Sequence, residues 1–285
     1  MPADKTIFVT GATGNQGGAV VRNLIQQGFA VKALTRNKNS SKTAALIRPQ
    51  VELIQGTLDN PSTYYHHLKG VDGVFSVIDF KQGPTRETRQ GIDLADNAKA
   101  NGVKHFLYSS VVGADANTGI PHWESKFRIE NHIKQTGLPY TIIRPASLFE
   151  NLLIPQVKSR LLKGKLITPI RKNTIQQYVS AEDIGKISTS IFMNPEKYCG
   201  QTLTIAAEQK DGLQVAATFS KVWGKPIGYQ QLPGIITRLA MGRDLYKMFS
   251  WINKNNALFV KDLAAFKKEF PGLLSLEEWI KTYFK

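Results

Sequence analysis

The chain has 285 residues, of which 42% are hydrophobic and 21% charged, and this composition excludes an intrinsically disordered protein. Its one cysteine, Cys199, cannot form an internal disulfide, which excludes a small secreted disulfide scaffold. The chain starts directly in an apolar strand pattern, and its apolar runs stay shorter than the ~18 residues of a membrane span. We therefore expect a cytoplasmic protein with no membrane partner.

The formal net charge of +15 is unevenly distributed. Residues 1–151 carry +5 and residues 152–285 carry +10. This excess has two interpretations, a face for an anionic partner or an ordinary solvated surface. Because no nucleic-acid-binding motif accompanies the charge, we favour the solvated surface and predict no direct binding to nucleic acid.

Apolar strands and amphipathic helices alternate through the first half of the chain. Buried Val- and Ile-rich strands joined by helices indicate a parallel sheet covered on both faces. Two consecutive three-strand halves predict the α/β doubly wound Rossmann architecture. The predicted strands cover 6–10, 30–36, 51–56, 73–78, 105–110 and 140–145, with helices at about 18–27, 40–48, 64–68, 86–101 and 123–136.

The regular alternation stops after residue 151. A later stretch, 177–192, reads as a short strand followed by a helix with Ser180 as its N-cap. We predict that residues 1–151 and 176–193 form the nucleotide-binding domain. Residues 152–175 and 194–285 are expected to form a smaller C-terminal α/β lid that binds a substrate or partner.

The segment TGATGNQGG at residues 10–18 is the strongest chemical signal. Gly11, Gly14 and Gly17 lie between the first strand and the first helix, the context that a dinucleotide-binding loop requires. The first glycine permits a tight turn, the second lets backbone N–H groups approach a pyrophosphate, and the third lets the helix pack on the strand. The loop therefore predicts nucleotide binding.

The end of the second strand indicates which dinucleotide binds. An acid at this place bonds the ribose 2′-hydroxyl of NAD, whereas an arginine accommodates the 2′-phosphate of NADP. The chain has Arg36 here, in LTRNKN, and no acid. We predict NADP(H) as the cofactor, the alternative being that Arg36 is only a solvated strand end.

Five motifs together carry a resemblance to a known family. TGATGNQGG, LTRN, YSSVVGAD, TIIRPASLFEN and YVSAEDIG occur in this order up to about residue 192. They resemble the NmrA-like and HSCARG-like group of atypical short-chain dehydrogenases/reductases. The resemblance implies an extended-type Rossmann fold, NADP binding, and either cofactor sensing or reduction of a small molecule.

The resemblance also implies individual contacts to the cofactor, besides those of the glycine loop. One position departs from the family pattern, because Thr57 stands where relatives usually have an aspartate for the adenine amino group. The implied contacts are Thr13, Asn15 and Gln16 at the phosphates, Arg36 at the 2′-phosphate, Leu58 at the adenine, Val77, Ile78 and Asp79 along the cofactor, Lys126 at the nicotinamide ribose, and the segment from Phe149 to Asn151 at the nicotinamide.

The segment PHWESK at 121–126 occupies the place of the family's catalytic site. Active short-chain dehydrogenases use Tyr-x-x-x-Lys and an upstream serine, and here His122 stands at the tyrosine position, Lys126 is retained and Ser110 or Ser109 fits the serine. His122 is either a replacement general acid or the mark of a lost acid, with Lys126 only anchoring the cofactor. We favour loss of the acid. No metal-ligand spacing is present, and we predict no metal.

Two functions follow from the resemblance and from this departure. The first is an NADP(H)-binding sensor or regulator with weak or no dehydrogenase activity, in which cofactor occupancy alters contact with a regulatory protein partner. The second is an NADPH-dependent reductase of a quinone-like or other small apolar acceptor. A homodimer is compatible with both.

Overall fold

The structure is a computed structural model that describes residues 4–284. The chain divides into two compact units. The first comprises the chain up to Asn117, His122–Arg144 and Ile184–Leu203. The second comprises Thr118–Pro121, Pro145–Asp183 and the chain from Thr204 onward. Relative to this division, the prediction places residues 118–121, 145–151 and 176–183 with the nucleotide-binding domain and residues 194–203 with the smaller region.

Strands and helices account for most of residues 4–284. Within this range no helix is both long and apolar enough to cross a membrane. The strands are β1 Thr6–Val9, β2 Ala30–Thr35, β3 Val51–Gln55, β4 Gly73–Ser76, β5 His105–Ser109, β6 Tyr140–Pro145, β7 Ser147–Leu148, β8 Lys165–Thr168, β9 Gln176–Val179, β10 Gln201–Ile205, β11 Glu208–Lys210 and β12 Gly228–Gln231. The helices are α1 Asn15–Gln26, α2 Ser41–Ala44, α3 Pro84–Ala100, α4 Pro121–Thr136, α5 Pro155–Leu162, α6 Ala181–Met193, α7 Pro195–Tyr198, α8 Gly212–Trp223, α9 Gly234–Asn255, α10 Leu263–Glu269 and α11 Leu276–Tyr283.

The first unit is built on a seven-stranded sheet in the order β10-β6-β5-β4-β1-β2-β3. The pairings among the first six strands are parallel, with Ile7 beside Val31 and Phe8 beside Val74 in the centre. The chain order therefore reverses between β1 and β4, which is where ligands bind in open α/β sheets. The predicted doubly wound Rossmann fold is confirmed.

Helices cover the sheet because they present apolar stripes to it. The stripe Val20, Val21 and Leu24 of α1 is buried, as are Leu94 of α3 and Ile129 of α4. A Cβ on Gly91 would lie 2.6 Å from the Ile129 side chain, so α3 and α4 approach closely at this point. That close approach brings the polar residues one turn away on each helix together.

Two predicted helices are shorter or tighter in the structure. The helix expected at 40–48 is formed only by Ser41–Ala44, and Pro49 disfavours a helical conformation for Arg48 at its expected end. The run expected as a helix through Tyr64–Leu68 forms 3₁₀ turns, because it is too short to nucleate an α-helix. The predicted N-cap of α6 is confirmed, since Ser180 Oγ accepts from the Asp183 N–H at 2.9 Å.

The second unit contains a three-stranded sheet, β11-β9-β7, and a two-stranded pair, β12-β8. Its main core gathers α5, α8 and α11 around aromatic side chains. Trp279 is fully buried and Trp223 half-buried in this core, while Trp251 packs in a smaller cluster near Phe259. Of these three tryptophans, Trp279 is therefore the one that belongs fully to the core.

His105 makes the stability of the first unit depend on pH. Its ring Nε2 lies 2.9 Å from Thr141 Oγ1, and burial lowers the pKa of His105 from 6.5 to about 4. The folded chain therefore keeps His105 neutral while the unfolded chain gains a proton as the pH falls through 6.5. We expect the free energy of unfolding to drop by about 2 kcal/mol between about pH 7 and about pH 5, and to fall further until about pH 4.

Urea unfolding across this pH range checks the expectation. In His105→Gln, whose amide can still bond Thr141, the drop should be smaller by about that amount. His132→Gln is the matched control, because His132 is a partly exposed histidine paired with Asp96. Equal slopes for all three proteins would contradict the assignment.

Candidate functional site

The loop after β1 is fastened to the end of β4 by Thr10. The Thr10 N–H donates to the Phe75 carbonyl at 3.0 Å, and its hydroxyl donates to the Val77 carbonyl at 3.0 Å. The same hydroxyl accepts from the Val77 N–H at 2.9 Å. The glycine loop and the residues after β4, Val77 to Asp79, therefore lie side by side, as the predicted cofactor contacts require.

At each of the three glycines of the loop an added Cβ would lie unusually close to a neighbouring atom, which is a side-chain carbon at Gly11 and a backbone oxygen at Gly14 and Gly17. Gly11 has a positive φ of 60°, and a Cβ there would lie 2.7 Å from Val77 Cγ1. A Cβ on Gly17 would come within 2.3 Å of the Gly11 carbonyl oxygen, and one on Gly14 within 3.2 Å. Because glycines stand at these positions, no side chain covers the loop backbone there, and the backbone lies close to the helix that follows.

The first turn of α1 presents donors to an anion. Its N-cap is Gly14, which has no side chain to bond the free N–H groups, and the turn carries no acid. Thr13 is half-buried, whereas Gly14 and Asn15 are exposed at the mouth of the loop. With the helix dipole behind them, these N–H groups form the kind of cradle in which a pyrophosphate binds.

Gln16 is held in place from β5. The Ser109 hydroxyl donates to Gln16 Oε1 at 2.7 Å, which orients the amide at the start of α1. The sequence offered Ser109 only as an alternative catalytic serine. Its contact to the glycine loop was not predicted, because it joins residues 93 positions apart.

Arg36 is exposed directly after β2. The turn that carries it is tied by threonine hydroxyls, since Thr43 Oγ1 donates to the Asn37 carbonyl at 2.7 Å and lies 3.3 Å from Thr35 Oγ1. The guanidinium thus sits on a fixed turn at the carboxyl edge of the sheet, where a 2′-phosphate binds in this fold class.

The segment Thr57–Asp59 has a threonine where the family pattern has an aspartate, and the structure shows what the nearby Asp59 binds. Asp59, two residues after Thr57, accepts from Arg86 Nε at 2.8 Å, Arg89 Nη2 at 3.0 Å and Gln90 Nε2 at 2.9 Å. The bond from Arg86 is the largest cause that holds the pKa of Asp59 well below its usual range. This carboxylate is committed to α3 and does not substitute for the missing aspartate, while Leu58 packs half-buried against the core.

Lys126 forms a buried ion pair that the sequence did not reveal. Its ammonium lies 2.7 Å from Glu87 Oε1 and 3.4 Å from the Ile78 carbonyl oxygen. Glu87 is 0% exposed and its other oxygen accepts from Ser125 Oγ at 2.6 Å. Glu87 is in the first turn of α3, where the helix dipole favours a negative charge. The close approach of α3 and α4 at Gly91 places this carboxylate against Lys126.

A second buried ion pair lies one turn further along α4. Glu130 accepts from Arg144 Nε at 2.9 Å and Nη2 at 2.5 Å, in a bidentate arrangement. The Ser110 hydroxyl donates to Glu130 Oε1 at 2.5 Å, and Asp115 pairs with Arg144 from the other side. Ser110 is therefore engaged with Glu130, and the catalytic role assigned to it stays a prediction that this contact does not support.

Tyr108 lies between the two buried pairs. Its ring is 5.9 Å from the Lys126 ammonium, and its hydroxyl has no hydrogen-bond partner within residues 4–284. Burial, with the nearby charges of Glu87 and Glu130, raises the pKa of Tyr108 well above its usual value. Tyr108 therefore stays protonated at neutral pH and is a weaker acid than an ordinary tyrosine.

His122 is the second residue of α4, one helical turn before Lys126. It is buried, and its ring centroid lies 4.9 Å from that of Phe80. The structure thus places His122 and Lys126 on the same helix, which begins two residues before the predicted 123–136, with His122 packed against an aromatic ring near the helix start.

Phe149 and Asn151 belong to the second unit. Phe149 is fully buried and stacks on Tyr178 at a centroid distance of 5.8 Å, so its ring is part of that unit's core. Asn151 is exposed. Their predicted contact with the nicotinamide remains a prediction.

Comparisons with known proteins agree with this geometry. An oxidoreductase with an NmrA-like domain, FrzB of a Cladobotryum species, is 29% identical over 79% of this chain and 75% of its own length. The crystal structure of NmrA, a negative transcriptional regulator, in complex with NADP superposes with a TM-score of 0.81 at 24% identity, covering 99% of this chain and 96% of that chain. An NADPH-dependent quinone oxidoreductase from Escherichia coli gives a TM-score of 0.79 at 21% identity, covering 98% and 100%. The model of the NmrA-like family matches residues 3–280, and the chain belongs to this family.

Proposed function

We propose that the chain binds NADP(H) in the cytoplasm and acts as a cofactor sensor or regulator with weak or no classical dehydrogenase activity. The observation that carries this proposal is the glycine loop, whose bare backbone and uncapped helix start fit a pyrophosphate. Arg36 at the end of β2 fits the 2′-phosphate of NADP. The NADP complex of NmrA, a regulator of the same fold, supports the same cofactor and function.

The surroundings of Lys126 favour sensing over dehydrogenase chemistry. Bound NADPH supplies a hydride, but a carbonyl acceptor also needs a proton from a group beside the nicotinamide. The family's tyrosine is replaced by His122, which is packed against Phe80, and Tyr108 holds its proton too tightly. The Lys126 ammonium is neutralised by Glu87. We infer that Lys126 orients the nicotinamide ribose and that cofactor occupancy is read by a regulatory protein partner.

The alternative function is NADPH-dependent reduction of a quinone-like acceptor. A quinone that takes a hydride can find its proton in water, so loss of the tyrosine does not exclude this reaction. His122 lies one helical turn before Lys126, and both the Cladobotryum relative and the Escherichia coli neighbour are named oxidoreductases. In this function the proton that completes reduction of the acceptor comes either from His122 or from water.

Turnover separates the two functions. We expect NADPH to bind, as followed by its fluorescence, and to remain unoxidised in the presence of a panel of quinones and carbonyls. If instead NADPH is oxidised, the variant to measure next is His122→Phe, which keeps the ring packing on Phe80 but cannot donate a proton. Oxidation of NADPH would itself establish the reductase and refute the sensor, and a fall in turnover of about a hundredfold or more in this variant, with NADPH affinity unchanged, would assign the proton to His122.

The choice of cofactor has its own test. Arg36→Ala should weaken binding of NADPH by about ten- to a hundredfold, the usual effect of losing hydrogen bonds to a charged group, and leave NADH nearly unchanged. Lys38→Ala is the matched control, because Lys38 is an exposed cation two residues further along the same turn. Equal losses for NADPH and NADH in Arg36→Ala would contradict the assignment to the 2′-phosphate.

A further inference from the structure

The first part of α9 exposes its apolar face. Gly242, with φ 82° and ψ 172°, breaks the helix, so residues 234–241 form a separate helical segment. Ile235, Ile236 and Leu239 in this segment are 72%, 46% and 81% exposed. The polar Thr237 is the buried residue, at 1% exposure. The segment therefore has the reverse orientation of an ordinary surface helix, which buries its apolar stripe.

These exposed side chains form one stripe. At about 100° per residue, Ile235, Leu239 and Ile236 fall within an arc of about 100°, and Thr237 projects from the opposite side of the helix. Single exposed apolar residues need no explanation, but a contiguous apolar stripe marks an interaction site. The stripe lies entirely within the second unit.

The charge around the stripe is positive. Arg238 and Arg243 flank it and are exposed. Residues 225–268 contain two acids, Asp244 and Asp262. The bases of this stretch are Lys225, Arg238, Arg243, Lys247, Lys254, Lys261, Lys267 and Lys268. A second copy of the chain would bring like charges together, at a net charge of +15 per molecule. A surface that complements this stripe and its flanking arginines has a negatively charged outer layer with an apolar interior beneath it.

We propose that residues 234–241 bind the surface of an anionic lipid bilayer. Ile235, Ile236 and Leu239 enter the boundary between headgroups and acyl chains, while Arg238 and Arg243 contact the lipid phosphates. A segment of eight residues is only about 12 Å long, which is small for a specific interface with another protein. A bilayer needs no shape complementarity from its partner. The proposal replaces the expectation of no membrane partner, which rested on the lack of an apolar span in the sequence, because surface binding needs no spanning helix.

Vesicle flotation tests the proposal on the full chain. The probes are vesicles of phosphatidylcholine alone and vesicles that contain about one third phosphatidylglycerol. We expect the protein to float with the anionic vesicles only, and less as salt is raised. Replacing Ile235 and Leu239 together by serine should lower the partition coefficient about tenfold or more, because two inserting side chains are lost. Arg238→Glu with Arg243→Glu should also lower it at least about tenfold.

Matched control variants distinguish an effect of this stripe from a general loss of exposed apolar side chains or of positive charge. Ile47→Ser with Leu213→Ser removes two exposed apolar side chains elsewhere, and Lys42→Glu with Lys163→Glu makes the same change of net charge. Both controls should float like the unmodified protein, and all variants should unfold at a similar urea concentration. No flotation of the unmodified protein, or equal flotation of the serine variant, would overturn the proposal. A serine variant that loses self-association or acceptor reduction, with flotation unchanged, would assign the stripe to a second copy or to the acceptor site instead.

Discussion

Gly17→Ala should abolish cofactor binding. The added Cβ would stand 2.3 Å from the Gly11 carbonyl oxygen, 2.5 Å from the Gly11 carbonyl carbon and 2.7 Å from the Thr10 carbonyl oxygen. All three atoms are backbone, so no side chain can rotate away and the loop itself must shift. The N–H groups at the start of α1 would then leave the position in which they face a phosphate. We expect NADPH affinity to fall by about a hundredfold or more, and the free energy of unfolding by about 1–3 kcal/mol.

NADPH fluorescence titration and urea unfolding measure the two effects. Gly28→Ala is the control, since Gly28 follows the far end of α1 with φ 87° and has no atom within 4 Å of the added Cβ. This variant carries backbone strain of about 1–2 kcal/mol and should bind NADPH normally. If Gly17→Ala binds NADPH as tightly as Gly28→Ala does, the glycine loop is not the phosphate site.

The contrast between the loop and the rest of the site shows what the sequence can predict. The strands and most helices follow from local periodicity, and the glycine loop follows from three glycines within seven consecutive residues. Both signals are contiguous, so they can be read without tertiary structure. The short 3₁₀ turns at Tyr65–Leu68 were not predicted because the i, i+4 spacing of Tyr64 and Leu68, both fully buried, is that of an α-helix.

The buried ion pairs could not be predicted in the same way. A sequence shows which residues are charged but not which are buried, and Glu87 precedes Lys126 by a whole strand and two loops. Glu87, Glu130 and Arg144 all read as surface charges of helices or strand ends. The one available signal was Gly91, a small residue one turn after Glu87, which allows α3 and α4 to approach. It has meaning only when the partner helix is known.

The ion pair of Lys126 and Glu87 changes how a lysine variant must be interpreted. Lys126→Ala removes the counter-ion of a carboxylate that is 0% exposed, so we expect the free energy of unfolding to fall by about 3–5 kcal/mol. Glu87→Gln instead leaves the buried Lys126 ammonium without a counter-ion, so it should also lower the free energy of unfolding. A loss of NADPH binding in Lys126→Ala would therefore reflect a damaged fold as much as a lost ribose contact.

A double-mutant cycle resolves the two effects. The double variant Glu87→Gln with Lys126→Met keeps the volume of both side chains and leaves no unpaired charge. Its free energy of unfolding should therefore be higher than that of Glu87→Gln, in which the ammonium has no counter-ion, and higher than that of Lys126→Met alone. Urea unfolding of the four proteins gives the coupling energy, and a value below about 0.5 kcal/mol would show that the pair is not a unit. If the double variant is stable but binds NADPH at least about tenfold more weakly, Lys126 contacts the cofactor directly. Unchanged affinity in that variant would make the pair purely structural, and the lysine of the family's catalytic motif would then have no cofactor role in this chain.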